Sequence, residues 1–512
     1  MRQQQKGLST VDRVSLDACG AFVLPSPLVT QTLIENYMSH CDPWTPIVER
    51  RWLEGSDHHS PSLLLMKSLL LAGSRVSEFP SVPASSREFY VSSKALVLCA
   101  YEQNPVINII ACCLLGWWNQ YELGGFSLDT SSHWLRTASG IAYDIGLHKE
   151  PAATWEGRFR RRLWWSLVVR SLFARICHRH SLIINVFKAR DCQVSAARGQ
   201  PSIINLDLSS VLPPSVNDFP RNARHAGFFV AYVDISLILA SLCGSCQKGR
   251  LSNEQKTQTR NSLHRWIREL PSDLQYLSCR EKPEPSHENF LARQLHIIYL
   301  AAVSILYCST SEAQEVSATA VASSSFIATL LEEFIVRDEF RFLTAVFSFY
   351  IVSAAVPQIA AYWSVDFHAD VKQNLEIITG SLSALSLKWP TARAAVAALG
   401  HREKHSSGRT GDSEPKILLP DDEARELLEG FDPGACCHWK QVFGEMPTPT
   451  DGDLSASSNP AVTLQSQGFE SDDFIAPLAE EDINMSFSLP SCGPSDEYDD
   501  FGAWVFERYL NL

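Results

Sequence analysis

Among 512 residues there is little that would commit the chain to a known chemistry. Its 14 cysteines follow no disulfide framework, and only Cys19 and Cys41 fall in the first 98 residues. A structural zinc site takes four ligands, usually as two close pairs. Cys243-Gly244-Ser245-Cys246 is the single C-x-x-C and supplies two of them. Cys436-Cys437-His438 likewise has no second half in the sequence, and His58-His59, His178 and His180 read as surface or turn histidines. No phosphate-binding glycine loop, nucleophile elbow or H-E-x-x-H pair occurs. Asp421-Asp422 could hold magnesium, but no second acidic motif on a core helix completes it. These absences argue against an enzyme. No apolar run reaches the roughly 18 residues a membrane helix needs. The longest, at 63–72 and 106–118, contain Lys67 and Asn108 and read as buried helices. The opening residues MRQQQKGLSTVDRV carry no apolar signal segment, so reduced thiols inside the cell are expected.

What is present is core material and an uneven charge. Thirteen Trp and 25 Phe can fill a large interior. The net charge of −13 sits almost wholly at the end: residues 401–512 hold 23 acidic and 7 basic side chains, and the rest of the chain is close to neutral. Strand-like alternation is absent and apolar residues recur at helical spacing, so an all-α fold is predicted. The expected organisation is a disordered N-terminus at 1–20, a large multi-helix body at 21–400, and an acidic, mostly disordered tail at 401–512. A body of this size exceeds the usual single core of about 250–300 residues; two packed subdomains or one solenoid-like layer would both satisfy that. Within the tail, aromatics alternate with carboxylates in 470–512. Asp472, Asp473, Phe474, Phe501, Trp504 and Phe506 are candidate activation-segment residues, the carboxylates keeping the rings in water until a partner groove takes them. Docking of this segment on its own body is the competing reading.

The body is organised around one joint, 144–170. The helix before it carries a stripe of Trp134, Ala138, Ile141 and Ile145, with Thr130, Ser131 and Ser132 as cap candidates. Gly146 sits where a left-handed C-cap is needed, Leu147 where its hydrophobic contact falls, and Pro151 discourages continuation. The following helix opens with Arg158, Arg160, Arg161 and Arg162, cations that oppose its dipole. Two uses are open to them: phosphate binding, or pairing with Glu150 and Glu156. Pairing is preferred because the body has no other basic stripe.

The run SSHWLRTASGIAYDIGLHKEP followed by RRRLWWSLVVR resembles the central signature of the fungal-specific transcription factor domain, the middle homology region of binuclear zinc cluster regulators. The matching positions include Trp134, Gly146, Leu147, His148, Arg161, Arg162, Trp164, Trp165 and Arg170. Ser171 stands where the family usually has an acid, and His178-Arg179-His180 where it has a Gly-Arg-Pro-like turn. The N-terminal third looks like the cutinase transcription factor branch. The resemblance implies an all-helical regulatory domain in a nuclear regulator of RNA polymerase II genes, such as a metabolic or secondary-metabolite gene cluster. It also implies coactivator contact through the acidic tail and homo- or heterodimer formation. The family's six-cysteine zinc cluster is missing from this sequence. Zinc and direct DNA contact are therefore expected only from an upstream segment or a partner factor, and no cofactor is expected in this chain. The alternative is a ligand-sensing or scaffold protein with no transcriptional role.

Overall fold

A computed structural model describes residues 8–54, 61–77, 82–118, 129–177, 203–220, 223, 225–276, 287–309, 315–362, 364, 367–393, 395–396, 399 and 416–443. All of them lie in one compact unit, 1–444, and the all-α expectation holds.

The chain enters through α1 (Thr10–Ala18), capped by Ser9, whose hydroxyl accepts from the Asp12 amide at 3.1 Å. These residues were expected to be disordered. Their composition is polar, but Leu16 is fully buried in a small cluster with Leu64, Leu96 and Ala111, and that one anchor seats the helix. Ser26 caps α2 (Pro27–Asn36), with Pro27 in the first turn. In α3 (Leu63–Ser74), a Cβ on Gly73 would sit 2.1 Å from the Leu33 carbonyl oxygen. Only glycine lets α2 lie this close. α4 (Val82–Leu98) follows, then α5 (Pro105–Leu115), which opens as predicted, with the Asn104 side chain accepting from the Val106 amide at 3.0 Å and Pro105 at the first position.

From there neighbours in sequence are neighbours in space. α5 packs on α6 (Ser131–Asp144), α6 on α7 (Trp155–Cys177), and α7 on α8 (Ala226–Lys248). α9 (Asn253–Glu269) lies on α8 and α10 (His287–Cys308). α10, α11 (Ala318–Val336), α12 (Phe347–Ala361) and α13 (His368–Ser386) pack in succession. A single buried cluster runs from Leu33 to Phe443 through the body.

Three helical stretches, 226–246, 289–308 and 318–336, are long and apolar enough by length and composition to cross a membrane. This corrects the expectation that no apolar run reaches such a length. The stretch at 289–308 lies almost wholly inside the body, and the other two are mostly buried there. They are helices of the core, and their apolar surface is covered by neighbouring helices.

The two ends of the body meet at Arg75. Its guanidinium donates to the Lys388 carbonyl at 2.7 Å and lies 4.5 Å over the Trp389 ring, while the Trp389 indole donates to Leu343. Lys388 folds its ammonium inward to the Arg341 carbonyl at 2.6 Å. Burial, with repulsion from Arg75 added, lowers that amine to about 7.

The body also extends further than composition suggests. Residues 416–443, expected to belong to a mostly disordered tail with one short helix at 421–428, form a strap across α10 and α11. A three-residue strand β1 (Glu315–Ser317) pairs in parallel with β2 (Lys416–Leu418). Asp421 caps the short α14 (Asp422–Glu426), and Arg260 binds both Asp421 and Glu423. The carboxylate pair considered for magnesium is thus partly used as a helix cap. Leu427, Leu428 and Phe431 are buried, Phe431 against Phe326, Tyr299 and His296, and the Tyr299 hydroxyl donates to the Leu427 carbonyl at 2.8 Å. α15 (Trp439–Phe443) closes the strap.

Two outcomes follow. Phe431→Ala should cost about 3–5 kcal/mol in denaturant unfolding, the range for an aromatic deleted from a packed core. Lys388 should make stability rise with pH from about 7 toward its unfolded value of 10.5, because over that window the unfolded chain binds a proton that the folded chain does not. Lys388→Met should flatten that rise in thermal melts taken across the window.

Candidate functional site

The joint between α6 and α7 is built by its caps. The Thr130 hydroxyl accepts from the His133 amide at 3.1 Å and starts α6. At its other end Gly146 has φ +66, the Leu147 amide bonds the Ala142 carbonyl at 2.8 Å, and the Gly146 amide bonds Tyr143 at 3.0 Å. These are the paired bonds of a left-handed glycine cap. Leu147 is buried beneath it. The chain then re-enters a helix so tightly that a Cβ on Gly157 would meet the Ala152 carbonyl oxygen at 1.8 Å.

Trp134 is buried, and its indole donates to the Tyr90 hydroxyl at 3.1 Å. Tyr90 in turn donates to Asp129, which Lys94 also binds. Trp164 is fully buried against the rings of Tyr143 and His148. Trp165 donates to the Leu212 carbonyl at 2.7 Å. Arg170 presses its guanidinium on the end of α5, where a Cβ on Gly116 would come within 2.3 Å of it.

Three of the four arginines turn inward. Arg160 donates to the Ile145 carbonyl at 3.1 Å, one of the orphan acceptors at the end of α6. Arg161 bridges Glu150 and Asp218, the latter at 2.5 Å. Burial works against its charge, yet the two carboxylates raise its pKa above the usual value. Arg162 is 4% exposed and meets Glu49, 8% exposed, at 3.1 Å, with its guanidinium also lying over Phe159 and Phe219. Burial lowers the pKa of Arg162, and Glu49 and Asp42 oppose the drop. Asp42 is itself pushed up to about 7 by burial, against the pull of Arg162 and Arg50. Arg158 is exposed. With Arg160, Arg161 and Arg162 held this way, the cluster offers no phosphate-sized basic face. Glu150 is an arginine partner, as the sequence suggested. Glu49 and Asp218 are partners no local pattern announced, lying 113 and 57 residues from theirs.

The same residues hold the irregular segment 203–220. The His148 carbonyl accepts from the Ser210 amide at 3.1 Å, Glu150 takes the Leu212 amide at 2.8 Å, and Ser171 takes the Ile204 amide at 3.2 Å. Ser171, where the signature usually has an acid, thus has a defined task. Between α7 and this segment lies a half-open cleft of about 230 Å³ lined by Val168, Ser171, Leu172 and residues 204–207. Asp472, Asp473, Phe474, Phe501, Trp504 and Phe506, and also His58, His59, His178 and His180, lie outside the described residues. Cys243 and Cys246 stand one turn apart on α8, and among the described residues no third metal-ligating side chain joins them.

The signature residues thus form a buried structural joint beside a cleft, inside an all-helical body. Residues 34–277 match the profile of the fungal specific transcription factor domain. Among curated proteins the chain is 26% identical over 340 residues to cutinase transcription factor 1 alpha of Fusarium vanettenii, an alignment covering 60% of this chain and 34% of that protein. It is 23% identical over 356 residues to the acetamidase regulatory protein of Aspergillus oryzae, covering 65% and 42%. It is 27% identical over 194 residues to transcription factor cpaR of the same species, covering 35% and 32%. The chain thus spans about a third to two fifths of the length of these relatives. The likeness to the cutinase transcription factor branch is borne out. No solved structure matches.

Arg162→Met should destabilise the fold by about 3–5 kcal/mol, because it leaves Glu49 buried without its inner partner. The double variant Glu49→Gln/Arg162→Met should recover much of that loss in the same denaturant titration. Full additivity of the two single changes would contradict the pair.

Proposed function

We propose that the chain is a fungal transcription regulator acting in the nucleus on RNA polymerase II genes, and not an enzyme. The observation that carries this is the match of residues 34–277 to the transcription factor domain, with the signature residues assembled into one joint. Its relatives are named transcription factors and regulators, one of cutinase and one of acetamidase, so genes of a metabolic or secondary-metabolite set are the proposed targets. The helical body is the regulatory part. It would tune activity through partner or small-molecule binding. DNA is reached through a zinc cluster carried elsewhere or by a partner factor, in a homo- or heterodimer. The acidic segment 470–512 contacts coactivator or transcription machinery.

Tethered to a heterologous DNA-binding domain in a fungal reporter strain, the full chain should activate transcription. Replacing Phe501, Trp504 and Phe506 together with Ala should abolish that activity at equal protein level. A tethered chain that neither activates nor represses would instead favour a ligand-sensing or scaffold protein.

A further inference from the structure

The strap brings Cys437-His438 to the second half that the local sequence lacks. α13 presents Asp370 and Asn374 one turn apart, and α11 presents Ser325. The ligating atoms of Asp370, Cys437 and His438 all lie within 4.8 Å of one another. His438 is fully buried, its ring 5.2 Å from Phe367, with Nδ1 3.8 Å from an Asp370 oxygen and Nε2 3.2 Å from the Asn374 amide. The Cys437 sulfur has the Ser325 hydroxyl at 3.1 Å and the Asn374 amide at 3.4 Å. Three elements, separated by more than 100 residues between Ser325 and Cys437, thus converge on one thiol and one imidazole.

We propose that Asp370, Cys437 and His438 bind a divalent ion of the zinc class, which fastens the C-terminal strap to α13. Zinc bonds of about 2.0–2.3 Å in a tetrahedron set the ligand atoms about 3.3–3.8 Å apart. The His–Asp separation already meets that, and a small side-chain movement brings in the rest. Thiolate, imidazole and carboxylate together suit zinc better than the all-oxygen ions. Ser325 and Asn374 lie where outer hydrogen bonds would orient the sulfur. Cys437 is exposed and Asp370 a third exposed, so the ion and a fourth, water ligand have a way in. Three protein ligands with an open position make an exchangeable clip, not a closed structural knot.

Binding would release the Cys437 proton to solvent as the sulfur–metal bond forms.

The test uses the full chain, stripped with chelator and titrated with cobalt(II), then competed with zinc. The expected result is one equivalent bound with a thiolate–cobalt charge-transfer band. That band should vanish in Cys437→Ser, and zinc affinity should fall at least about tenfold in Cys437→Ser and in Asp370→Asn, since loss of even an outer-shell partner costs that much. Cys436→Ser, whose sulfur instead donates to the Ala322 carbonyl, should bind as the parent does. Far-UV circular dichroism and apo melting temperature keep the reading clear of misfolding. Asp370→Asn, a conservative change at a partly exposed carboxylate, serves as the second arm should Cys437→Ser unfold. Absence of the band in the parent chain, or an undiminished band in Cys437→Ser, overturns the site.

Discussion

Arg162 cannot be removed from its surroundings without leaving Glu49 stranded, and that constraint orders the body. A buried carboxylate and a buried guanidinium each carry a desolvation cost of several kcal/mol, offset only when geometry and further hydrogen bonds are good. Here Glu49 takes Arg51 as well as Arg162, and the Arg162 guanidinium is covered by two phenylalanine rings. The pair ties the turn after α2 to the first turns of α7, where Trp52 also packs on Phe159 and Arg51 lies over Trp155. Next to it, Arg161 ties α7 to the capped turn at 215–218. One helix start therefore fixes the position of chain from both earlier and later in the sequence. The dipole penalty of placing cations at a helix N-terminus is accepted because their partners are tertiary, not local.

This division explains what could be read from the sequence. Caps and stops are short-range devices, and they were legible: Thr130, Gly146 and the Asn104-Pro105 start all act as their residue types dictate. The helical periodicity that named the fold class is equally local. What escaped is what depends on distant partners. Glu49 and Asp218 have no spacing relation to the arginines they bind. The seating of α1 and the burial of the strap, though not the strap's short helix, escaped because composition averages over a window, whereas burial is decided by single anchors such as Leu16 and Phe431. The strands β1 and β2, three residues each, are too short for alternation to show at all.

The same reasoning separates the two kinds of ligand search. A scan for close cysteine pairs finds Cys243 and Cys246, which face along one helix and meet no third ligand among the described residues. The set that does converge combines adjacent strap residues with one carboxylate from a helix 67 positions earlier in the chain. Only the fold supplies that proximity. It also means that any ion held there would report on whether the strap is docked, since undocking removes two of the three ligands at once.

The strap has a consequence for how the protein is made. A chain emerging from the ribosome offers its N-terminal residues first, and α10 and α11 would be complete well before Phe431 exists to cover them. Until the last turn of α15 has been translated, Tyr299, Phe326 and His296 lack their lid, and a long apolar pair of helices stands open to whatever is nearby. Pairing β1 with β2 spans about a hundred residues, a closure that local propensity cannot hasten. Messages that end early would yield a polypeptide with every signature of the domain present and its core unsealed. Such a polypeptide would be a substrate for chaperones and proteases and not a shorter stable domain.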